Sequence, residues 1–225
     1  MIKIDQLIYC YENLNMEFTF KIDQGEKVAI LGSSGAGKST LLNLIAGFQY
    51  SKKGEIWLNK KKCTYIPPEM RPVSIIFQEN NLFSHLTVWQ NIALGITPSL
   101  YLNETQHKIV EKIIKKVSLE NCLTRLPGQI SGGQKQRTAL ARCLIRQKPI
   151  LLLDEPFSAL DPTLRNEMLI LLKKICDEKK LTLLMVSHNL EDAIKITTRC
   201  IIISKGKITY DGHHKDHIKY KKHTV

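Results

Sequence analysis

Val28-Ala29-Ile30-Leu31-Gly32-Ser33-Ser34-Gly35-Ala36-Gly37-Lys38-Ser39 is an apolar run that opens into a glycine-spaced loop ending in lysine and serine. This is the spacing of a P-loop, and it points to a bound nucleoside triphosphate. A phosphate tail is wrapped by backbone N–H groups only where side chains leave room. Glycines at 32, 35 and 37 leave it, so Gly32, Ser33, Ser34, Gly35, Ala36 and Gly37 form the expected cradle. Thr40 through Ala46 reads as a helix whose N-terminus turns further N–H groups and a partial positive charge toward the phosphates. Lys38 is then placed for the β- and γ-phosphates, and Ser39 for Mg²⁺. Ser204-Lys205-Gly206-Lys207 lacks this spacing and precedes a strand-like run, so it reads as a hairpin turn.

The chain has 225 residues, 43% of them hydrophobic, which suits one sizeable α/β domain with a real core. No apolar run approaches the roughly 20 residues that cross a bilayer, and Met1-Ile2-Lys3-Ile4-Asp5 lacks the apolar stretch of a secretory signal. The expectation is a cytosolic protein, or one that sits on a membrane through partners. Six cysteines are scattered without a C-x-x-C pair, which argues against a zinc site or a disulfide framework and for reduced thiols. The formal charge of +12 is spread over several lysine clusters (52–62, 108–116, 173–180, 215–222). No interleaving of aromatic and basic residues accompanies them, so nucleic acid is not an expected partner.

Residues 1–30 alternate as strands, with Gly25-Glu26 turning into the strand that carries the P-loop. A second hairpin is expected over 54–64 and a compact strand over 73–77. From Leu82 the pattern turns helical. Asn103 with Gln106 forms a capping box ahead of an apolar stripe of Ile109, Val110, Ile113, Ile114 and Val117. A helix starts near Ser131, and Ile150-Leu151-Leu152-Leu153 suits a strand buried on both faces. A helix (164–176), a strand (181–186), a helix (190–197) and a closing hairpin (200–210) follow. Strands alternating with helices predict a mostly parallel sheet covered on both sides. The end of the chain, with His213, His214 and His217, reads as a solvated basic tail.

Asp154 ends the apolar run where a Walker B carboxylate would hold Mg²⁺ from across the site. Glu155 follows and, on an extended chain, points to the other side; with a P-loop present a general-base role fits it. Ser131-Gly132-Gly133-Gln134 is a second phosphate-ready helix start, its serine and glutamine spaced as a capping box.

Together these segments resemble the ATP-binding subunits of ABC transporters over nearly the whole chain. Ile130-Ser131-Gly132-Gly133-Gln134 is similar to that family's signature, with Ile130 where leucine is usual, an exchange of similar volume. Gln78 after Phe77 matches the Q-loop, Ser158-Ala159-Leu160-Asp161 the D-loop, and His188 after Ser187 the switch histidine. The segments 71–88 and 154–162 look like those of import ATPases for thiamine and thiamine pyrophosphate. The resemblance implies an α/β P-loop NTPase (RecA-like) core with an antiparallel β subdomain and an inserted helical subdomain. One ABC domain would span 1–213, its core and β lobes over 1–81 and 149–213 and its helical lobe over about 82–148, with a basic tail at 214–225.

It implies, further, that two copies close head to tail, so that ATP on one P-loop is completed by Ser131, Gly132, Gly133 and Gln134 of the other, with Asp161 communicating across the pair. Lys38 and the amides of residues 35–40, Thr40 included, would neutralise phosphate charge. Ser39, Gln78 and Asp154 would arrange Mg²⁺, Glu155 would polarise water, and His188 would contact the γ-phosphate. Tyr11 is the expected adenine stacker, with Tyr9 on the same strand face as its rival. Implied partners are a second copy, a transmembrane permease and, indirectly, a periplasmic solute-binding protein, with the chain peripheral on the cytoplasmic face of a bacterial inner membrane. Phe83, Leu86 and Trp89 either line a groove for the permease or pack locally. Another small-solute cargo, or a soluble non-transport ABC ATPase, are the alternatives; the second would ordinarily bring a coiled-coil insertion or tandem nucleotide domains for which 225 residues leave no room.

Overall fold

The structure, a computed structural model, describes residues 1–11, 14–78 and 82–216. In chain order its elements are β1 (Ile2–Tyr11), β2 (Leu14–Ile22), β3 (Lys27–Leu31), α1 (Lys38–Ala46), β4 (Lys53–Leu58), β5 (Lys61–Lys62), β6 (Val73–Ile76), α2 (Val88–Ala93), α3 (Glu104–Val117), α4 (Gly132–Ile145), β7 (Ile150–Asp154), α5 (Pro162–Lys179), β8 (Thr182–Val186), α6 (Leu190–Ile196), β9 (Arg199–Ser204) and β10 (Lys207–His213). Among the described residues the strands join one ten-stranded sheet in the order β5-β4-β1-β2-β10-β9-β3-β8-β7-β6.

The sheet changes character along its width. From β6 through β7, β8 and β3 to β9 the pairing is parallel, while β1, β2, β4 and β5 pair antiparallel and β9–β10 forms the closing hairpin. The parallel strands are apolar throughout because both faces are covered. Ala29, Leu31, Leu151, Leu153, Leu183 and Met185 face the cluster that takes in α2 to α6. Val28, Ile30, Ile150, Leu152, Leu184 and Val186 face α1 and the antiparallel lobe. Each fully buried Val, Leu, Ile or Met side chain among them contributes roughly 1.5–3 kcal/mol.

The helices start where local chemistry directs. Thr87 with Gln90, Asn103 with Gln106, and Ser131 with Gln134 all form complete capping boxes at α2, α3 and α4. Asp161 caps α5 by accepting from the Leu164 amide, and Pro162 takes the first helical position, so α5 begins two residues before the apolar pattern does. Val110, Ile113, Ile114 and Val117 are buried on α3 as its stripe requires. No helix among the described residues is long and apolar enough to cross a membrane.

One end of α1 is fixed by a buried cation. Arg71 is fully buried, and its guanidinium donates to the carbonyls of Leu44 (2.7 Å), Ile45 (2.9 Å), Ile66 (2.7 Å) and Thr64 (3.1 Å). Leu44 and Ile45 lie in the last turn of α1, whose carbonyls have no partner within the helix. Gly47 ends α1 at φ +91°, and a Cβ there would stand 2.6 Å from Arg71 Nε, so helix stop and arginine are fitted to one another.

The chain's end departs from the expected solvated tail. His214 is buried, its Nε2 lies 2.6 Å from Thr197 Oγ1, and its backbone N–H donates to Thr198 O, because β10 runs on to His213 and carries the next residue under the α6–β9 turn. His217 and the rest of the 217–225 stretch lie outside the described residues, as do Glu79, Asn80 and Asn81 beyond Gln78.

Replacing Arg71 should therefore cost far more than a surface arginine. Arg71→Ala should lower unfolding free energy by about 3 kcal/mol or more, since buried carbonyls at the end of α1 lose their donor and a cavity opens. Urea unfolding checks it; a loss under about 1 kcal/mol would show the clamp to be dispensable.

Candidate functional site

The register of three parallel strands creates the site. Ile30 and Asp154 both pair with Val186, so β3, β7 and β8 end level. The chain leaves each strand at the same sheet edge: Gly32 after β3, Glu155 after β7 and Ser187 after β8. Cross-strand bonds extend one residue further, from Glu155 N to Val186 O (3.1 Å) and from Ser187 N to Ile30 O (3.1 Å). Loops at the carboxyl ends of parallel strands form the crevice of such sheets.

A cavity of about 470 Å³ lies there, walled by Ser34, Gly35, Gly37, Lys38, Ser39 and Thr40 on one side and by Gln78, Glu155 and His188 on the other. Gly37 sits at φ +103°, and a Cβ on it would come 2.9 Å from the Met16 sulfur; only glycine lets the loop pass there. Lys38 is 7% exposed, and its ammonium donates to the carbonyls of Gly32 (3.0 Å) and Ser33 (2.8 Å). Ala36 O in turn accepts from Gly206 N (3.0 Å), so the Ser204–Lys207 turn, a hairpin as expected, braces the P-loop from behind. A buried ammonium held by carbonyls at a helix N-terminus is a strong anion attractor.

Asp154 sits opposite. It is 8% exposed, lies near the Ser39 hydroxyl, and leaves Oδ1 buried without a partner among the described residues. Burial lifts its carboxyl above the usual aspartate range, the Ser39 hydroxyl and Lys38 opposing and Glu155 adding to the rise. A buried carboxylate oxygen beside a hydroxyl is hard-oxygen chemistry, the donor type Mg²⁺ prefers when phosphates complete its shell. The residues present fit that ion.

Glu155 does not point away from the site. The expected alternation fails because the chain is no longer extended: Glu155 adopts φ +45°, a left-handed conformation uncommon for a non-glycine residue. The reversal brings its carboxylate to the cavity shared with Lys38 and Ser39, and Oε2 lies 3.0 Å from His188 Nδ1. One acid thus faces Ser39 and its neighbour faces the histidine.

Tyr11 lines the cavity and is 52% exposed, whereas Tyr9 packs against the core of the antiparallel lobe. Leu14 and Met16 of β2 complete that wall. Neither is visible as a site residue in the sequence, since both follow the alternation of an ordinary buried strand. Ser131, Gly132, Gly133 and Gln134 are not in this cavity. They form the start of α4, meshed with the start of α5: a Cβ on Gly133 would stand 2.5 Å from Leu164, three residues past Asp161. One chain therefore carries the cradle and, apart from it, the second phosphate-ready helix start.

A separate groove of about 470 Å³ runs between β6 and α4. Phe48, Phe77 and Phe83 line it, with Phe48 and Phe77 ring centres 5.4 Å apart and the Arg142 guanidinium 5.8 Å from the Phe83 ring centre. Trp89 divides from Phe83: it stacks on His107 at 5.5 Å and packs on the core instead. Phe77 faces the groove and Gln78, the next residue, faces the P-loop cavity.

A family model describing the ABC transporter matches residues 16–158. A thiamine import ATP-binding protein, ThiQ, of Photorhabdus laumondii is 63% identical over 212 residues, covering 94% of this chain and 90% of that protein. The protein of the same name from Yersinia pseudotuberculosis is 58% identical over the same span. Among solved structures, the dimeric post-hydrolysis state of the ATP-binding cassette MJ0796 bound to ADP and Pi superposes with TM-score 0.81 at 29% identity, covering 95% of this chain and 99% of that one. The cbiO1 structure from Clostridium perfringens, part of the ABC transporter complex cbiONQ, gives TM-score 0.87 at 28% identity, covering 98% and 91%.

Burying an ionised Asp154 opposes folding at neutral pH, because a carboxyl raised in the folded state loses stability as pH climbs through its folded value. Asp154→Asn should thus be more stable than the parent at pH 7 without nucleotide, and the gap should close as the pH falls toward the ordinary aspartate range. Denaturant titration across that pH range checks it; a less stable variant at pH 7 would mean the carboxylate is already compensated.

Proposed function

Because the chain belongs to the ABC transporter family, we propose that it is the ATP-hydrolysing subunit of an importer that draws thiamine, or thiamine pyrophosphate, through a membrane permease. The observation that carries this reading is the convergence of the Lys38 cradle, Glu155, His188 and Gln78 on a single cavity at level strand ends, with the buried Asp154 ending β7 beside it. The cargo follows the names of the relatives at 63% and 58% identity and not any pocket of this chain.

Lys38 and the amides opening α1 hold the phosphates of ATP, and Tyr11 offers its exposed ring to adenine. Ser39, Asp154 and Gln78 would hold Mg²⁺, which supplies charge neutralisation between the phosphates. Glu155 accepts the proton of the attacking water, and His188, bonded to Glu155, orients that carboxylate and donates toward the γ-phosphate. The α4 start is remote from its own cradle, which supports a second copy supplying Ser131, Gly132, Gly133 and Gln134, with Asp161 near the junction. That the similar MJ0796 cassette is dimeric supports a pairing of two copies.

The groove lined by Phe48, Phe77 and Phe83 receives the permease, and the adjacency of Phe77 and Gln78 links docking to the cavity. The chain is then peripheral on the cytoplasmic face of the inner membrane, working with a periplasmic solute-binding protein, and nucleic acid has no part.

Glu155→Gln should lower ATP turnover by about 100-fold or more with ATP binding retained. Ser131→Arg should abolish turnover of the assembled transporter while each chain still binds ATP. Hydrolysis and binding assays on the complex with its permease check both; full turnover in either variant would sink the split-site mechanism. Thiamine-stimulated ATPase activity in the reconstituted complex tests the cargo.

A further inference from the structure

We propose that Arg165 is a positioning residue for hydrolysis: from behind the cavity it locks the loop after Glu155 to the helix after His188, so that the two side chains meet in front. The proposal rests on the reading of Glu155 as the base.

Arg165 lies in the first turn of α5, where a cation opposes the helix dipole and so needs compensation from elsewhere. Its compensation comes from two loops of the site. Nη2 donates to the carbonyls of Ser158 (3.2 Å) and Leu160 (2.9 Å), and Nη1 lies 3.8 Å from Asp192 Oδ2. The Arg165 and Asp192 side chains are 22% and 16% exposed, so this contact is better shielded from water than a surface ion pair.

Ser158 and Asp192 connect in turn to the backbone around the two catalytic side chains. The Ser158 hydroxyl donates to the carbonyl of Glu155 at 3.1 Å, and the Ser158 amide to the same oxygen at 3.3 Å. Asp192 sits in the first turn of α6, where Asn189 Oδ1 caps its amide, and Asn189 exchanges bonds with Ser187 on either side of His188. A small cavity of about 20 Å³ is walled by Glu155, Ser158, Arg165, His188 and Asp192 together. In front, Glu155 and His188 touch at 3.0 Å, but that histidine side chain is 59% exposed and has little else to hold it. The left-handed φ of Glu155 also needs its surroundings to keep it in place. The fork of Arg165 does this from the rear. Lysine would keep the charge and lose the geometry that serves two carbonyls and a carboxylate at once.

The test uses the full chain with its permease, comparing Arg165→Lys, Asp192→Asn and the double variant. Expected is a fall in kcat of about tenfold in each single variant with KM for ATP changed by less than about twofold, as for an interaction that matters in the transition state and not in binding. The double variant should be no worse than the poorer single one, because both cut one link. Thermal melting of each chain separates positioning from unfolding. The proposal is overturned if kcat of both single variants stays within about twofold of the parent, if KM rises in place of a fall in kcat, or if the loss only follows the fraction unfolded. Glu155→Gln serves as the companion: if it keeps turnover, the assignment beneath the proposal fails, whereas an inactive Glu155→Gln beside an unaffected Arg165→Lys refutes the proposal alone.

Discussion

The level ending of β3, β7 and β8 is the constraint on which the site depends. The pairing of Ile30 and Asp154 on the two sides of Val186, with Glu155 N donating to Val186 O and Ser187 N to Ile30 O, holds three strand ends in phase, and three loops then leave one edge within reach of each other. A slip of one residue in β7 would exchange the faces of Asp154 and Leu153, sending a carboxylate into packed aliphatic side chains. Because these strands are apolar on both faces, the alternation of polar and apolar residues cannot enforce that register. The polar residue at the strand end can.

Buried charge is handled in two ways in this molecule. Arg71 is answered entirely by the protein, through carbonyls of α1 and of the 64–66 turn. Lys38 is answered only in part, by two carbonyls, and Asp154 keeps an orphaned oxygen. Incomplete satisfaction of buried polar groups is costly in a resting fold, and it gathers where a ligand is received.

Features encoded within a few residues could be read from the chain. The P-loop, the capping boxes at Asn103 and Ser131 and the all-apolar β7 each declare themselves in a short window. What escaped depends on contacts distant in sequence. Nothing local to Arg71 marks it as buried, yet it caps carbonyls 26 and 27 residues earlier. Glu155 follows a strand and invites extrapolation of the alternation, but a left-handed residue ends that pattern. His214 belongs to a polar run and is buried because β10 outlasts its apolar signal. Met16 reads as core, which it is, while its sulfur also fills the space beside Gly37.

The Arg71 clamp has a mechanical corollary. Its donors satisfy the far end of α1 whether or not phosphate is present at the near end, so loading and emptying the cradle leaves half of that helix's electrostatic environment unchanged. The helix is a fixed post in the cycle. What binds at the near end meets a helix already held at the far one.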